Sequence, residues 1–166
     1  MTRVAVVVGN PKPASRTLAA ATLLAGAVAG VEPATVLDVV TLGAGLLGFG
    51  DPAVARAVDE VRAAELLVVA SPTYKATYTG VLKAFLDQVP ADGLAGVVAV
   101  PLMVGAGPGH ALAPELSLKP VLVELGATCP TRACYVLERD HLDPEAYAAW
   151  VERARPQLLA ALAGRA

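Results

Sequence analysis

The 166-residue chain predicts a three-layer, doubly wound α/β domain: a parallel five-stranded sheet in the order 2-1-3-4-5, with helices on both faces. Three observations lead there. Five short apolar runs rich in β-branched residues show little polar alternation, as strands buried on both faces do. Helix-like segments separate them, so that strand and helix alternate along the chain. The turns leaving the first, third and fourth runs carry glycine, proline, hydroxyl and basic residues, the chemistry expected beyond the carboxyl ends of the strands, where such sheets bind ligands. A six-stranded dinucleotide fold would need more chain.

In chain order, residues 4–8 are the first strand and residues 15–29 the first helix, which Ser15 or the residue before it can cap. Residues 35–40 are the second strand. A glycine-rich loop follows at 41–51, with Leu46, Leu47 and Phe49 expected at the surface, where they pack on another subunit, act as a flap, or fold back on the core. Residues 52–64 are the second helix, 66–70 the third strand, 79–88 the third helix, 96–104 the fourth strand and 111–125 the fourth helix. The fifth strand is placed at 129–137. Cys129 and Cys134, five apart within it, then point to opposite faces and read as buried free thiols of a reducing compartment. Residues 144–163 form the last helix, where Tyr147, Trp150, Val151, Ala154 and Leu158 recur at helical spacing and read as core.

Composition narrows the function. Hydrophobic residues make up 55% and charged residues 17%, which excludes disorder and leaves apolar surface for a homodimer or homotetramer. A formal charge of −2 gives no basic field for nucleic acid. No apolar stretch free of Gly, Pro and charge reaches the ~18 residues of a membrane span, and the N-terminal apolar run is too short for a signal-peptide core. One soluble, cytoplasmic domain over residues 1–166 is expected.

Three turns should converge on one crevice. The first, Gly9-Asn10-Pro11-Lys12-Pro13-Ala14-Ser15-Arg16-Thr17, runs into a helix N-terminus, whose free N–H groups and partial positive charge hold anions. Lys12 and Arg16 add charge; Asn10, Ser15 and Thr17 add neutral donors. A terminal monophosphate suits it. The second, Ser71-Pro72-Thr73-Tyr74-Lys75, approaches extended because of its proline and offers backbone N–H groups of Thr73 to Lys75 to the edge of a planar ring, with Tyr74 beside it. In the third, Gly105-Ala106-Gly107-Pro108-Gly109-His110, glycines let the backbone pass close to a flat ligand. His110 could touch that ligand. Neither a Walker A loop nor G-x-G-x-x-G is present, which disfavours ATP and a tightly gripped NAD. No metal-ligating cluster or catalytic triad is found, and no catalytic residue is nominated.

With Gly9-Asn10-Pro11-Lys12, Ser15-Arg16-Thr17, Ser71-Pro72-Thr73-Tyr74-Lys75-Ala76, Tyr78-x-Gly80-Val81-Leu82-Lys83, the glycine loop with His110, and Leu118-Lys119-Pro120, nearly the whole chain resembles the NAD(P)H-dependent FMN reductases of the flavodoxin-like superfamily. It is most similar to the alkanesulfonate-type reductases of two-component monooxygenase systems. The resemblance implies FMN, with its phosphate at Ser15, Arg16 and Thr17, near Asn10 and Lys12. It implies isoalloxazine contacts from Pro72, Thr73, Tyr74, Lys75, Gly105, Ala106 and Gly107. It also implies NADPH or NADH as hydride donor and a partner monooxygenase as consumer of reduced flavin. Two positions depart from the pattern: Asn10 stands where the family usually has serine, and Leu116 where alkanesulfonate-type members often insert an aromatic residue. Rival readings are an FMN-retaining reductase of quinones, azo dyes or metal oxyanions, a flavodoxin-like electron carrier, and a fold relative that has lost flavin.

Overall fold

Strand β1 (Val4–Val8) lies inside the sheet, between the second and third strands, of the computed structural model, which describes residues 2–165. Around it are α1 (Arg16–Ala29), β2 (Thr35–Asp38), α2 (Pro52–Arg62), β3 (Leu66–Pro72), α3 (Gly80–Leu86), β4 (Val98–Gly105), α4 (Lys119–Glu124), β5 (Cys134–Leu137) and α5 (Glu145–Ala163). Among the described residues the strands form one sheet in the order β2-β1-β3-β4-β5, all neighbours parallel. The predicted architecture is the observed one.

Alternation along the strands divides the core in two. Ala5, Val7, Leu67, Val69, Ala99 and Met103 face one side and pack under α2, α3 and α4 with Val58, Phe85 and Leu122. Val4, Val6, Val8, Leu66, Val68, Val100 and Leu102 face the other and meet Leu24 and Ala25 of α1 and Tyr147, Ala154 and Leu158 of α5. Full burial of each large side chain contributes about 1.5–3 kcal/mol. The strands that pair on both sides, β1, β3 and β4, are buried throughout, whereas the edge strands β2 and β5 are not.

Caps set the helix starts. Ser15 Oγ accepts from Leu18 N–H (3.2 Å), and Asp51 Oδ1 accepts from Ala53 and Val54 N–H (2.8 and 3.1 Å) ahead of Pro52. Thr79 Oγ1 accepts from Leu82 N–H (3.2 Å) and donates to the carbonyl of Gly9 (2.6 Å), tying α3 to the end of β1. Gly30, at φ 72°, closes α1 in the left-handed conformation.

Three expectations need correction. The fifth strand begins at Cys134, not 129. Val98 N–H donates to Glu65 and Ala99 N–H to Thr128 on the other side, so Pro101 turns its hydrogen-free nitrogen toward the β5 side. Pro130 brings a second missing donor there, and the ladder resumes only at Leu102–Cys134. The cysteines therefore share no strand, although Cys129 packs against one core and Cys134 lies within the other. Residues 41–51 do not form an open loop: Val39–Leu47 is a 3-10 segment broken at Gly43 (φ 59°), and Leu46 is buried while Leu47 and Phe49 are 88% and 85% exposed. Gln88 Nε2 holds the segment by donating to the Gly45 carbonyl (3.3 Å). The fourth helix is not continuous; a 3-10 turn (Pro108–His110) and a π turn (Pro114–Leu118) precede α4. The π turn takes up one extra residue, so Leu118 and Leu122 stay fully buried while Leu116 is pushed out to 71% exposure.

Burial pushes the thiols up, Cys129 to about 11 and Cys134 to about 12. At pH 8 only on the order of one Cys129 in a thousand is then ionised. Alkylation of the folded protein by a bimane reagent is expected to run orders of magnitude slower than in denaturant; fast labelling of both thiols in the native protein would contradict this.

Candidate functional site

The first turn is built on Asn10. Its Oδ1 accepts from Lys12 N–H (2.9 Å) and its Nδ2 donates to Thr17 Oγ1 (3.2 Å), which folds the segment back onto the start of α1. Ser15 and Thr17 are buried, and each hydroxyl oxygen is already an acceptor, so each keeps its own proton to donate outward. The N–H groups of Arg16 and Thr17 open α1 and have no carbonyl one turn back to receive them. Ala14 sits at φ 50°, held there by its N–H donating to Asp38 Oδ2 (2.9 Å) at the end of β2.

The second turn is a tight reversal. Thr73 N–H donates to the Val104 carbonyl (2.8 Å), and Tyr74 and Thr77 exchange two backbone hydrogen bonds (2.9 and 3.2 Å). The N–H groups of Thr73 and Tyr74 are thus spent internally, contrary to the expectation that they would face a ring. Lys75 and Ala76, at φ 52° and 67°, form the tip in the left-handed region, at about 1–2 kcal/mol per residue. Ser71 Oγ, fully buried, receives Thr79 N–H (3.0 Å) and closes the base.

The third turn is shaped by Tyr135 of β5, whose hydroxyl donates to the Gly107 carbonyl (2.6 Å). Burial raises the phenol above its ordinary pKa and keeps it a neutral donor. A Cβ on Gly105 would lie 1.9 Å from Tyr135 Oη, whereas Cβ atoms at 107 and 109 would meet open space. The glycine at 105 therefore makes room for Tyr135.

These turns enclose a cleft of about 380 Å³ at the carboxyl ends of β1, β3 and β4, within the usual size of small-molecule sites. Asn10, Lys12, Ser15, Arg16, Thr17, Pro72, Thr73, Tyr74, Gly105 and Ala106 line it together. Of the residues anticipated from sequence, Lys75 lies at the exposed turn tip and Gly107 holds Tyr135; neither is part of the lining, nor is His110. Ala14 and Val104, from the first and third turns, also line the cleft, whereas sequence reasoning missed Glu138 of the lining and, behind it, Asp38 and Tyr135. A larger groove between α1 and α5, about 510 Å³, is walled mainly by apolar residues such as Leu23, Ala27, Val151 and Leu159, with Glu152 and Arg155 among its lining, and lies away from the three turns.

The cleft's donor set fits a flat ligand with a terminal phosphate. Two hydroxyl protons, a helix N-terminus, Lys12 and Arg16 gather at one end, and Thr73 Oγ1 on the wall is buried with no partner of its own. Residues 2–141 match the family model described as NADPH-dependent FMN reductase. The chain belongs to that family. Members similar to it include an FMN reductase (NADPH) of Escherichia coli K12, 43% identical over 79 residues, or 48% of this chain and 41% of that protein. Another, from Pseudomonas aeruginosa PAO1, is 34% identical over 100 residues, 60% of this chain and 54% of the relative. The matched stretches thus span about half of these FMN reductases. Among solved structures, an NADH:FMN oxidoreductase in its apo form superposes over all of this chain and 91% of its own, with TM-score 0.82 and 29% identity. A flavodoxin from an archaeon, 18% identical with TM-score 0.54, shares the fold.

Proposed function

We propose that this FMN reductase family member is an NAD(P)H:flavin oxidoreductase that reduces FMN in the cleft between the turns after β1, β3 and β4. The carrying observation is that Lys12, Arg16 and the Ser15 and Thr17 hydroxyls share one 380 Å³ cleft with Thr73 and the Gly105–Ala106 backbone. When bound, FMN supplies the N5 position that accepts a hydride from the nicotinamide. The α1 N-terminus, Ser15, Thr17, Lys12 and Arg16 hold the phosphate. Pro72, Thr73, Tyr74 and the backbone at Gly105 and Ala106 would hold the ring. These groups would align the flavin for the nicotinamide, and such alignment is what the protein contributes to the rate.

The test is NADPH and NADH oxidation with and without added FMN. Oxidation that depends on added FMN supports the reading, and inertness with both nucleotides overturns it. Arg16→Ala is expected to weaken FMN binding roughly tenfold by removing a charged phosphate contact; an unchanged fluorescence titration would refute the phosphate assignment. We further infer one cytoplasmic domain that assembles as a homodimer or homotetramer and passes reduced flavin to a monooxygenase. The exposed Leu112, Leu116 and Val123 support self-association.

A further inference from the structure

Arg16 is the guanidinium that lines the cleft, and its Nη2 lies 2.7 Å from Oε1 of Glu138, a residue just after β5 that lines the same cleft. The Arg16 and Glu138 side chains are 63% and 41% exposed, so the pair is free to open. Exposed pairs of this kind add little to folding, and among the described residues the Glu138 carboxylate has no other polar partner. The charged side chains of the cleft are two cations, Lys12 and Arg16, and this one anion. A phosphate monoester brings about −1.5 to −2 charges to them. It must either displace Glu138 from Arg16 or bind beside a carboxylate that repels it.

Resting on the FMN reductase reading of this cleft, we propose that Glu138 is a resident counter-ion that competes with the FMN phosphate for Arg16. It sets the affinity for phosphorylated flavin and eases its release. Glu138 is thereby a specificity residue acting through Arg16. Its removal strengthens binding, the opposite of what a cleft-lining residue that supports the ligand would do. The same logic makes FMN exchangeable rather than permanently held, which suits a reductase whose reduced flavin leaves for another enzyme.

The experiment titrates wild type, Glu138→Gln and Glu138→Asp with FMN and with riboflavin, which lacks the phosphate, at one fixed ionic strength, and follows FMN dissociation by stopped flow. Glu138→Gln is expected to bind FMN roughly three- to tenfold tighter and to release it correspondingly more slowly, with riboflavin affinity unchanged. Glu138→Asp keeps the charge and stays close to wild type. FMN affinity that is unchanged or weaker in Glu138→Gln, or tightening that is equal for both flavins, overturns the proposal. If wild type prefers FMN to riboflavin, such a result removes this inference and leaves the cleft assignment standing. If wild type binds the two flavins alike, the phosphate assignment fails and the inference falls with it.

Discussion

Gly9→Ala is expected to destabilise the protein by roughly 3 kcal/mol, a fall in Tm of about 6–12 °C for a chain of this size. The Cβ it introduces would lie 2.2 Å from Leu82 Cβ, 2.6 Å from Leu82 Cα and 2.9 Å from Leu82 N, so the collision is with the backbone of α3 as well as a side chain. Neither partner can yield cheaply. Gly9 N–H donates to the Ala70 carbonyl (2.9 Å) and the Gly9 carbonyl receives Thr79 Oγ1 (2.6 Å), so moving either chain breaks a buried hydrogen bond. Leu82 is itself fully buried. Thermal denaturation followed by circular dichroism checks this, and a Tm within a degree or two of wild type would show that β1 and α3 can separate without cost.

Gly105→Ala acts on binding more than on folding. The new methyl would sit 1.9 Å from Tyr135 Oη and 2.7 Å from its Cζ, and the phenol must swing away. That breaks the hydrogen bond to Gly107 and releases the third turn from the position in which it closes the cleft. FMN affinity is expected to fall about tenfold or more, combining a lost hydrogen bond with local overpacking. Tyr135→Phe, which loses only the hydroxyl, should show a smaller loss. Fluorescence titration reads the affinities, and a Gly105→Ala protein that binds FMN as wild type does would remove Tyr135 from the account.

The sheet was legible because its central strands are buried on both faces and so appear as unbroken apolar runs such as Val4 to Val8 and Leu66 to Ala70. The first turn's share of the cleft was legible because its polar residues are contiguous, from Asn10 to Thr17. Glu138, Asp38 and Tyr135 were not, because they reach the site only through strand order: β2 lies beside β1, and β5 beside β4. An acidic residue at the end of each edge strand was the available signal. The π turn escaped because one inserted residue leaves the apolar spacing on either side intact, with Leu118 and Leu122 still in helical register. The late start of β5 depends on Pro101 facing the stretch around Pro130, a coincidence between neighbours that no single stretch of sequence displays.

The reversal at Lys75 and Ala76 bears on how the protein can be engineered. Two side-chain-bearing residues occupy backbone angles that asparagine and glycine adopt with far less strain, so Asn-Gly at this tip is an inexpensive route to a more thermostable scaffold. Stabilising changes can cost activity, so the gain should be measured together with turnover.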